Sequence, residues 1–202
     1  MRRRRAARRT VVLVTGVLLL AAPGGAADRQ IRPFIGATFG GSTTFVDPED
    51  AIGRPHPAIG VSAVFLGELF GAEVEVFDAP GFFEYGTKDL VRSSHVTAVT
   101  GNVIVAAPHK VTEYSLRPYL VGGAGLLRVR TTTAFNVFDV STTIPAINVG
   151  VGAVAFVTNR IGVSWDLRRF QSVGDNPASG GLSFGEQHVS FWRAAMAAVI
   201  RY

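Results

Sequence analysis

Charged residues spaced two positions apart occur inside otherwise apolar stretches of this chain. Glu73 and Glu75 form one such pair, and Asp166 and Arg168 form another. A spacing of two places both members of a pair on one face of a β-strand. Because an isolated ion is costly to remove from water, charges on an enclosed face must find opposite partners. The spacing therefore predicts ion pairs in the interior of a β-structure, with conduction or gating as the less favoured alternative.

The same face of the neighbouring stretches adds further charges to this prediction. The predicted network contains four basic and three acidic side chains, which is close to balance: Arg32, Glu73, Glu75, Asp166, Arg168, Arg193 and Arg201. Asn102, Asn148 and Tyr119 are expected to complete it as polar filling. Because the charges nearly balance, the sequence favours a plug of side chains that fills the interior and pairs its own charges.

His188 and Ser190 are the second candidate for chemistry. Their spacing resembles that of lipid A deacylase barrels, but a serine nucleophile also needs a base that a carboxylate orients. The nearest carboxylate in sequence is Glu186, and Phe191 stands where those deacylases carry an asparagine. The sequence therefore favours a histidine at the rim of the fold and predicts no catalytic residue.

No cofactor and no metal site is predicted. The chain has no cysteine, which excludes disulfides and thiolate metal sites. Gly122–Gly125 lacks the third glycine of a dinucleotide-binding loop and continues as a strand pattern. The acidic residues Asp47, Glu49 and Asp50 lack the regular ligand spacing of a calcium loop.

Residues 1–27 are predicted to be a cleavable export signal. Six arginines precede the apolar run Val11–Ala22, and small residues follow at Gly25–Ala27, which is the order of a secretory signal peptide. Six of the 20 basic residues and none of the 15 acidic ones lie in this segment, so residues 28–202 carry 14 basic and 15 acidic residues. A nearly neutral mature chain argues against nucleic acid as a partner.

Residues 28–202 alternate between apolar positions and polar or glycine positions. In the last stretch Trp192, Met196 and Tyr202 share the apolar face, opposite Arg193 and Arg201. A period of two predicts β-strands. The eight predicted strands are, in order, Ile31–Gly40, Ile59–Phe65, Phe70–Val76, Val99–Val105, Pro118–Leu126, Ile147–Val157, Ile161–Arg168 and Val189–Tyr202.

Long and short connections alternate between these strands. This alternation is typical of outer-membrane barrels, with short periplasmic turns and long external loops. The long connections are predicted at Val46–Pro57, Ala79–Ser93, Thr131–Thr143 and Gln171–Gln187. The short connections are predicted at Gly67–Glu68, Pro108–Ser115 and Thr158–Arg160.

The composition of the two strand faces predicts which one meets lipid. The chain is 48% hydrophobic, and the apolar face is bulky, whereas the other face holds glycine, small polar residues and a few charges. A soluble lipocalin-like barrel would instead expose many charges. We therefore predict an all-β fold: an eight-stranded antiparallel up-and-down transmembrane β-barrel, formed by residues 28–202 as one domain in the outer membrane.

Several motifs together resemble the OmpA/OmpX-type small outer-membrane barrels, the outer membrane protein β-barrel domain group. They are Arg117–Gly125, Asn148–Gly152, Asp166–Arg168 and a terminal strand that ends in Tyr202. The resemblance implies a monomer surrounded by outer-membrane lipid. It also implies insertion by the barrel-assembly machinery, with Tyr202 as the assembly signal in place of the commoner phenylalanine.

The function expected from these features is structural or surface-interacting, without catalysis. A ligand at the external loops is an open expectation, because six phenylalanines lie in or beside them: Phe45, Phe82, Phe83, Phe135, Phe138 and Phe184. The first alternative is passage or binding of small hydrophobic molecules through the barrel. The second alternative is a lipid-modifying barrel enzyme.

Overall fold

Eight strands form a closed antiparallel barrel in which each strand pairs with its neighbours in sequence and β1 pairs with β8. The computed structural model describes residues 28–43, 55–81, 91–108, 116–133, 139–173 and 189–202. The strands are β1 Asp28–Thr43, β2 His56–Leu66, β3 Phe70–Pro80, β4 Val91–Ala106, β5 Leu116–Thr133, β6 Asp139–Phe156, β7 Ile161–Ser172 and β8 Val189–Arg201. Within these residues, no helix is long and apolar enough to cross a membrane. The predicted fold class is confirmed.

Burial alternates along each strand as the sequence period requires. On β3, Phe70, Val74 and Val76 are 64%, 58% and 41% exposed, whereas Glu73 and Glu75 are 2% and 1% exposed. The bulky apolar face therefore lies outside and the charged face lies inside, as predicted. A water-soluble barrel would have the opposite arrangement.

The strands are staggered by ten residues around the barrel. Following paired residues from Phe39 on β1 through the other seven strands returns to β1 at Arg29, ten positions earlier. The pairs pass in turn through Trp192, Arg169, Val149, Gly122, Val103, Ala72 and Phe65. Such a stagger tilts the strands by about 40° from the barrel axis. The depth of a residue therefore depends on its strand as well as on its position along it.

The barrel closes between β1 and β8, where the pairing is irregular near the end opposite Asp28 and Tyr202, which are the termini of the described barrel. The register shifts between Phe39 and Ser42, and Gly40 there has a φ of 56°. This left-handed conformation favours glycine and is typical of a β-bulge. The bulge lets β1 continue to Thr43 beside β8.

Several strands extend further than the sequence pattern indicates. β5 and β6 each have 18 residues, so the predicted connection Thr131–Thr143 is wrong at both ends. The predicted connection Ala79–Ser93 is likewise too long, because β4 begins at Val91. Beyond the apolar belt the described outward residues are polar, namely His95, Thr97, Arg128 and Thr143, so the apolar alternation ends while the strand pairing continues.

The described short connections lie at the end of the barrel where Asp28 begins β1 and Tyr202 follows β8. The Gly67 N–H donates to the Phe70 carbonyl at 2.8 Å, and the Val157 N–H donates to the Ile161 carbonyl at 3.0 Å. These bonds close the turns after β2 and β6, close to where the sequence predicts them. The predicted signal segment, residues 1–27, lies outside the described residues.

The barrel interior has three layers. An upper apolar cluster lies toward the end opposite the termini and includes Phe34, Phe77, Phe170 and Phe191. A lower apolar cluster lies toward the termini and includes Leu66, Ile104, Tyr119 and Val199. Glu73, Glu75, Asp166, Arg168 and Arg193 lie between them. The prediction of a lumen filled by polar and charged groups is therefore incomplete, because it does not include the two apolar clusters.

A buried ion-pair network across the barrel

Arg168 on β7 and Glu73 on β3 form an ion pair across the barrel interior. Arg168 Nη1 lies 2.7 Å from Glu73 Oε2, and Arg168 Nη2 donates to Glu73 Oε1 at 3.2 Å. β3 and β7 lie four strands apart in either direction around the barrel, so the two residues come from opposite walls. Their side chains are 1% and 0% exposed. Each charge is therefore satisfied by the other and not by water.

Arg193 on β8 forms the second ion pair of the network. Its Nη1 lies 2.7 Å from Glu75 Oε1, and its Nη2 donates to Glu75 Oε2 at 2.8 Å. Two parallel bonds of this kind fix the orientation of both groups. Glu75 Oε2 also lies 3.3 Å from Arg168 Nη1, which joins the two pairs.

Asp166 connects the two arginines on their own side of the barrel. Arg168 Nε donates to Asp166 Oδ1 at 3.0 Å, and Arg193 Nη2 donates to the same oxygen at 3.4 Å. The structure thus brings five of the seven predicted residues into one cluster of three carboxylates and two guanidiniums. This central cluster is defined as Glu73, Glu75, Asp166, Arg168 and Arg193.

Two asparagines, Asn102 on β4 and Asn148 on β6, extend the central cluster along these strands. Asn148 Nδ2 donates to Asn102 Oδ1 at 2.7 Å, and Asn102 Nδ2 donates to Glu73 Oε2 at 3.0 Å. Asn102 Nδ2 also donates to Thr100 Oγ1 at 3.1 Å. The amides were expected as polar filling, and they connect walls that carry no described charge at this depth.

Arg32 lies below the central cluster, beside the lower apolar layer. Its Nε and Nη2 donate to Gln30 Oε1 at 2.9 and 2.6 Å. Its guanidinium carbon lies 5.4 Å from the centre of the Tyr119 ring, a distance typical of a cation–π contact. Gln30, which the sequence analysis did not single out, is 1% exposed, and its position two residues from Arg32 was the available signal.

Arg201 lies apart from the central cluster, at the end that holds the termini. Arg201 Nε lies 2.6 Å from Asp28 Oδ1, and its guanidinium carbon lies 3.8 Å from the Phe156 ring centre. Its side chain is 31% exposed. Arg201 shares the inward face of β8 with Arg193, but eight residues of strand separate the two in depth.

Arg193 also contacts the upper apolar cluster, which the sequence analysis did not foresee. Its guanidinium carbon lies 4.6 Å from the ring centres of Phe34 and Phe77 and 5.3 Å from that of Phe170. Phe170 stacks on Phe191 with ring centres 5.1 Å apart. Arg193 therefore joins the charged layer to the aromatic layer above it.

Glycines on the inward face make room for the larger polar side chains. A Cβ added at Gly152 would lie 2.5 Å from Cζ of Tyr119, and one added at Gly150 would lie 2.7 Å from Cγ of Arg168. One added at Gly123 would collide with Asn102. The glycine motifs of β5 and β6 thus provide space for the interior side chains.

Other predicted residues lie outside the interior or outside the described chain. Ser190 pairs with Gln171 and Ser42 on the outward face of β8, while Phe191 points inward. His188, Glu186, the acidic residues at 47–50 and the six loop phenylalanines lie outside the described residues. Among the described residues, no group of three or more acidic or histidine side chains could hold a metal ion.

Tyr202 follows directly on β8 and is 66% exposed. Its N–H donates to the Arg29 carbonyl at 3.2 Å. The terminal residue therefore continues the β8–β1 pairing at the seam where the barrel closes, with its ring on the outer surface.

Several solved structures share this fold, among them outer-membrane proteins. The chain is similar to neisserial surface protein A, NspA, at 12% identity and a TM-score of 0.64, over 86% of this chain and 97% of that one. It is similar to OprG of Pseudomonas aeruginosa at 13% identity and a TM-score of 0.59, over 88% and 96% of the two chains. A major outer membrane protein of Thermus thermophilus is 11% identical, with a TM-score of 0.55, over 88% of this chain and 100% of that one.

These similarities confirm the predicted resemblance in fold. The chain has the fold of the small OmpA/OmpX-type outer-membrane barrels. A scan against known protein families finds no match, and a search of curated proteins finds none either.

Proposed function

We propose that this chain is an integral outer-membrane protein with a structural or surface-interacting role and no catalytic activity. Its apolar wall contacts membrane lipid. The connections after β1, β3, β5 and β7 leave the barrel at the end opposite the termini, where they are available to a surface ligand. Cell fractionation and heat-modifiable migration on a denaturing gel test the location, and a soluble periplasmic monomer would contradict it.

The central cluster is the observation that carries the structural role. Arg168 and Arg193 are 1% and 0% exposed, so their guanidiniums fill the lumen at this depth. Eight strands leave an interior only wide enough for side chains. A lumen filled in this way supports a barrel that conducts no ions.

Planar-bilayer recording tests the closed lumen. The purified barrel is expected to give no steady conductance. If the wild type does conduct, and the conductance changes when Arg168→Ala and Glu73→Ala are introduced together, the current passes through the lumen and the proposal is overturned. A conductance that is the same in the variant would come from a contaminant, and the proposal would stand.

The packing of the upper apolar cluster argues against passage of small hydrophobic molecules. Phe170 and Phe191 are 0% and 1% exposed and stack on each other, so the rings fill the space that such a molecule would need. Proteoliposomes are expected to take up no hydrophobic fluorescent probe beyond the level of empty vesicles. Uptake that requires the protein would favour the passage alternative.

The lipid-modifying alternative depends on Ser190 as its nucleophile. Overexpression of the wild-type chain is expected to leave the acyl chains of lipid A unchanged by mass spectrometry. Loss of an acyl chain with the wild type but not with Ser190→Ala would replace the structural role with an enzymatic one.

A further inference from the structure

We infer that Arg169 and Trp192 form a site on the outer wall for the phosphate of a lipid headgroup in the outer leaflet. The inference rests on the proposed membrane location. It assigns a specific lipid contact to a wall that is otherwise apolar.

Arg169 lies where the apolar belt ends on β7. It follows Leu167 on the outward face and pairs with Val149 on β6 and Trp192 on β8. Leu167 and Val149 are 38% and 64% exposed, so apolar surface lies directly below and beside the cation. This position brings the Arg169 guanidinium to the level where acyl chains meet headgroups.

Within the described residues, Arg169 has no carboxylate partner. Its guanidinium carbon lies 5.5 Å from the Trp192 ring centre. The described outward-facing acid at this end is Asp78, on β3, and its oxygens accept from Thr97 at 2.7 Å and lie 3.4 Å from His95. A cation at the edge of a lipid-facing surface needs a counter-ion, and the membrane supplies one as phosphate.

The chemistry of the pair fits a phosphate diester or monoester on an amphiphile. A guanidinium stacked on a ring keeps the N–H donors along its edge, which bind phosphate oxygens in pairs. Tryptophan is enriched at the level of lipid headgroups. The exposed Val149 and Leu167 offer contact to acyl chains, which free phosphate lacks, so the occupant is a lipid.

A second arginine lies on this side of the barrel. Arg128 on β5 lies two residues beyond the exposed Leu126 and is itself exposed. It pairs with Thr143 on β6, the strand between β5 and β7. Among the side chains that the structure describes, the wall from β5 to β8 thus carries two outward arginines at its upper edge.

Native mass spectrometry of the detergent-solubilised barrel tests the site, with diphosphorylated lipid A as the probe. The wild type is expected to retain lipid A and to bind dephosphorylated lipid A and phosphatidylcholine more weakly. Arg169→Gln should reduce the affinity for lipid A about fivefold, as expected for one cation near a charged headgroup. Arg160→Gln removes the same charge from the exposed turn after β6, beyond the belt, and should leave the affinity unchanged.

Three outcomes would overturn the inference. They are equal affinity of the wild type and Arg169→Gln, equal loss with Arg169→Gln and Arg160→Gln, and full competition by inorganic phosphate. Failure of the membrane proposal is recognised separately, because the preparation would then lack heat-modifiable migration before any lipid is added.

Discussion

Arg168 on β7 and Glu73 on β3 are bound to each other across the full width of the barrel, with Nη1 and Oε2 2.7 Å apart. Neither side chain is more than 1% exposed. The pair therefore connects opposite walls with both of its charged groups buried. Removing two ions from water costs free energy, so the pair is tolerated in the interior only while both partners are present.

Removing one member of the network should destabilise the barrel strongly. Arg168→Met is expected to lower the free energy of unfolding by about 3–5 kcal/mol, because Glu73 would be left buried without its cation. Urea unfolding of the protein in phospholipid vesicles, followed by heat-modifiable migration, measures the change.

Arg29→Met is the matched control for this substitution. Arg29 is exposed on the outer surface, so the change in unfolding free energy should stay within about 0.5 kcal/mol. Equal effects of the two substitutions would mean that the interior pair contributes no more than a surface charge.

Replacing both members should cost less than the two single changes together. In Arg168→Met/Glu73→Leu no charge of this pair is left without its partner, so a coupling of about 0.5–3 kcal/mol is expected between the two sites. The same unfolding assay applied to the wild type, both single variants and the double variant gives the coupling. Strict additivity would show that the two residues act independently despite their contact.

Gly152→Ala should destabilise the barrel by about 1–3 kcal/mol through overpacking. The new Cβ would lie 2.5 Å from the Tyr119 ring and 2.8 Å from the Trp165 carbonyl oxygen. Gly101→Ala is the same chemical change at an outward position where a Cβ meets no atom within 4 Å. Midpoints of urea unfolding should separate the two variants, and a similar loss in both would point to strand propensity as the cause.

Tyr202→Ser should reduce the amount of folded barrel in outer membranes severalfold, while Tyr202→Phe should preserve it. The reason is the proposed recognition of a terminal aromatic during insertion. The folded fraction is measured by heat-modifiable migration of membrane fractions. Refolding of purified Tyr202→Ser in detergent should match the wild type, and a defect there would indicate a stability effect at the β8–β1 seam.

The alternation of charged and apolar positions was sufficient to predict the barrel and which face of each strand points into it. Glu73 and Glu75 alternate with exposed valines on β3, and the same rule correctly places Asn102 and Asn148 inside. A period of two is a local property of the chain, so one sequence reveals it.

Depth within the barrel could not be predicted in the same way. Arg193 and Arg201 share a face, yet Arg193 joins the central cluster and Arg201 pairs with Asp28 at the rim. Which inward residues meet depends on the ten-residue stagger, which follows from pairings between strands. The alternation did contain a signal for the aromatic layer, because Phe77 and Phe170 lie two residues beyond Glu75 and Arg168 on the same inward faces.

The length of chain between the paired ions has a consequence for the order of events in folding. Arg168 lies 95 residues from Glu73, and Arg193 lies 118 residues from Glu75. Neither pair can form inside a hairpin, so any partly built sheet in the bilayer exposes single ions to hydrocarbon. Intermediates lacking β7 or β8 are therefore penalised, and insertion should proceed as one concerted transition with closure of the wall as its last step.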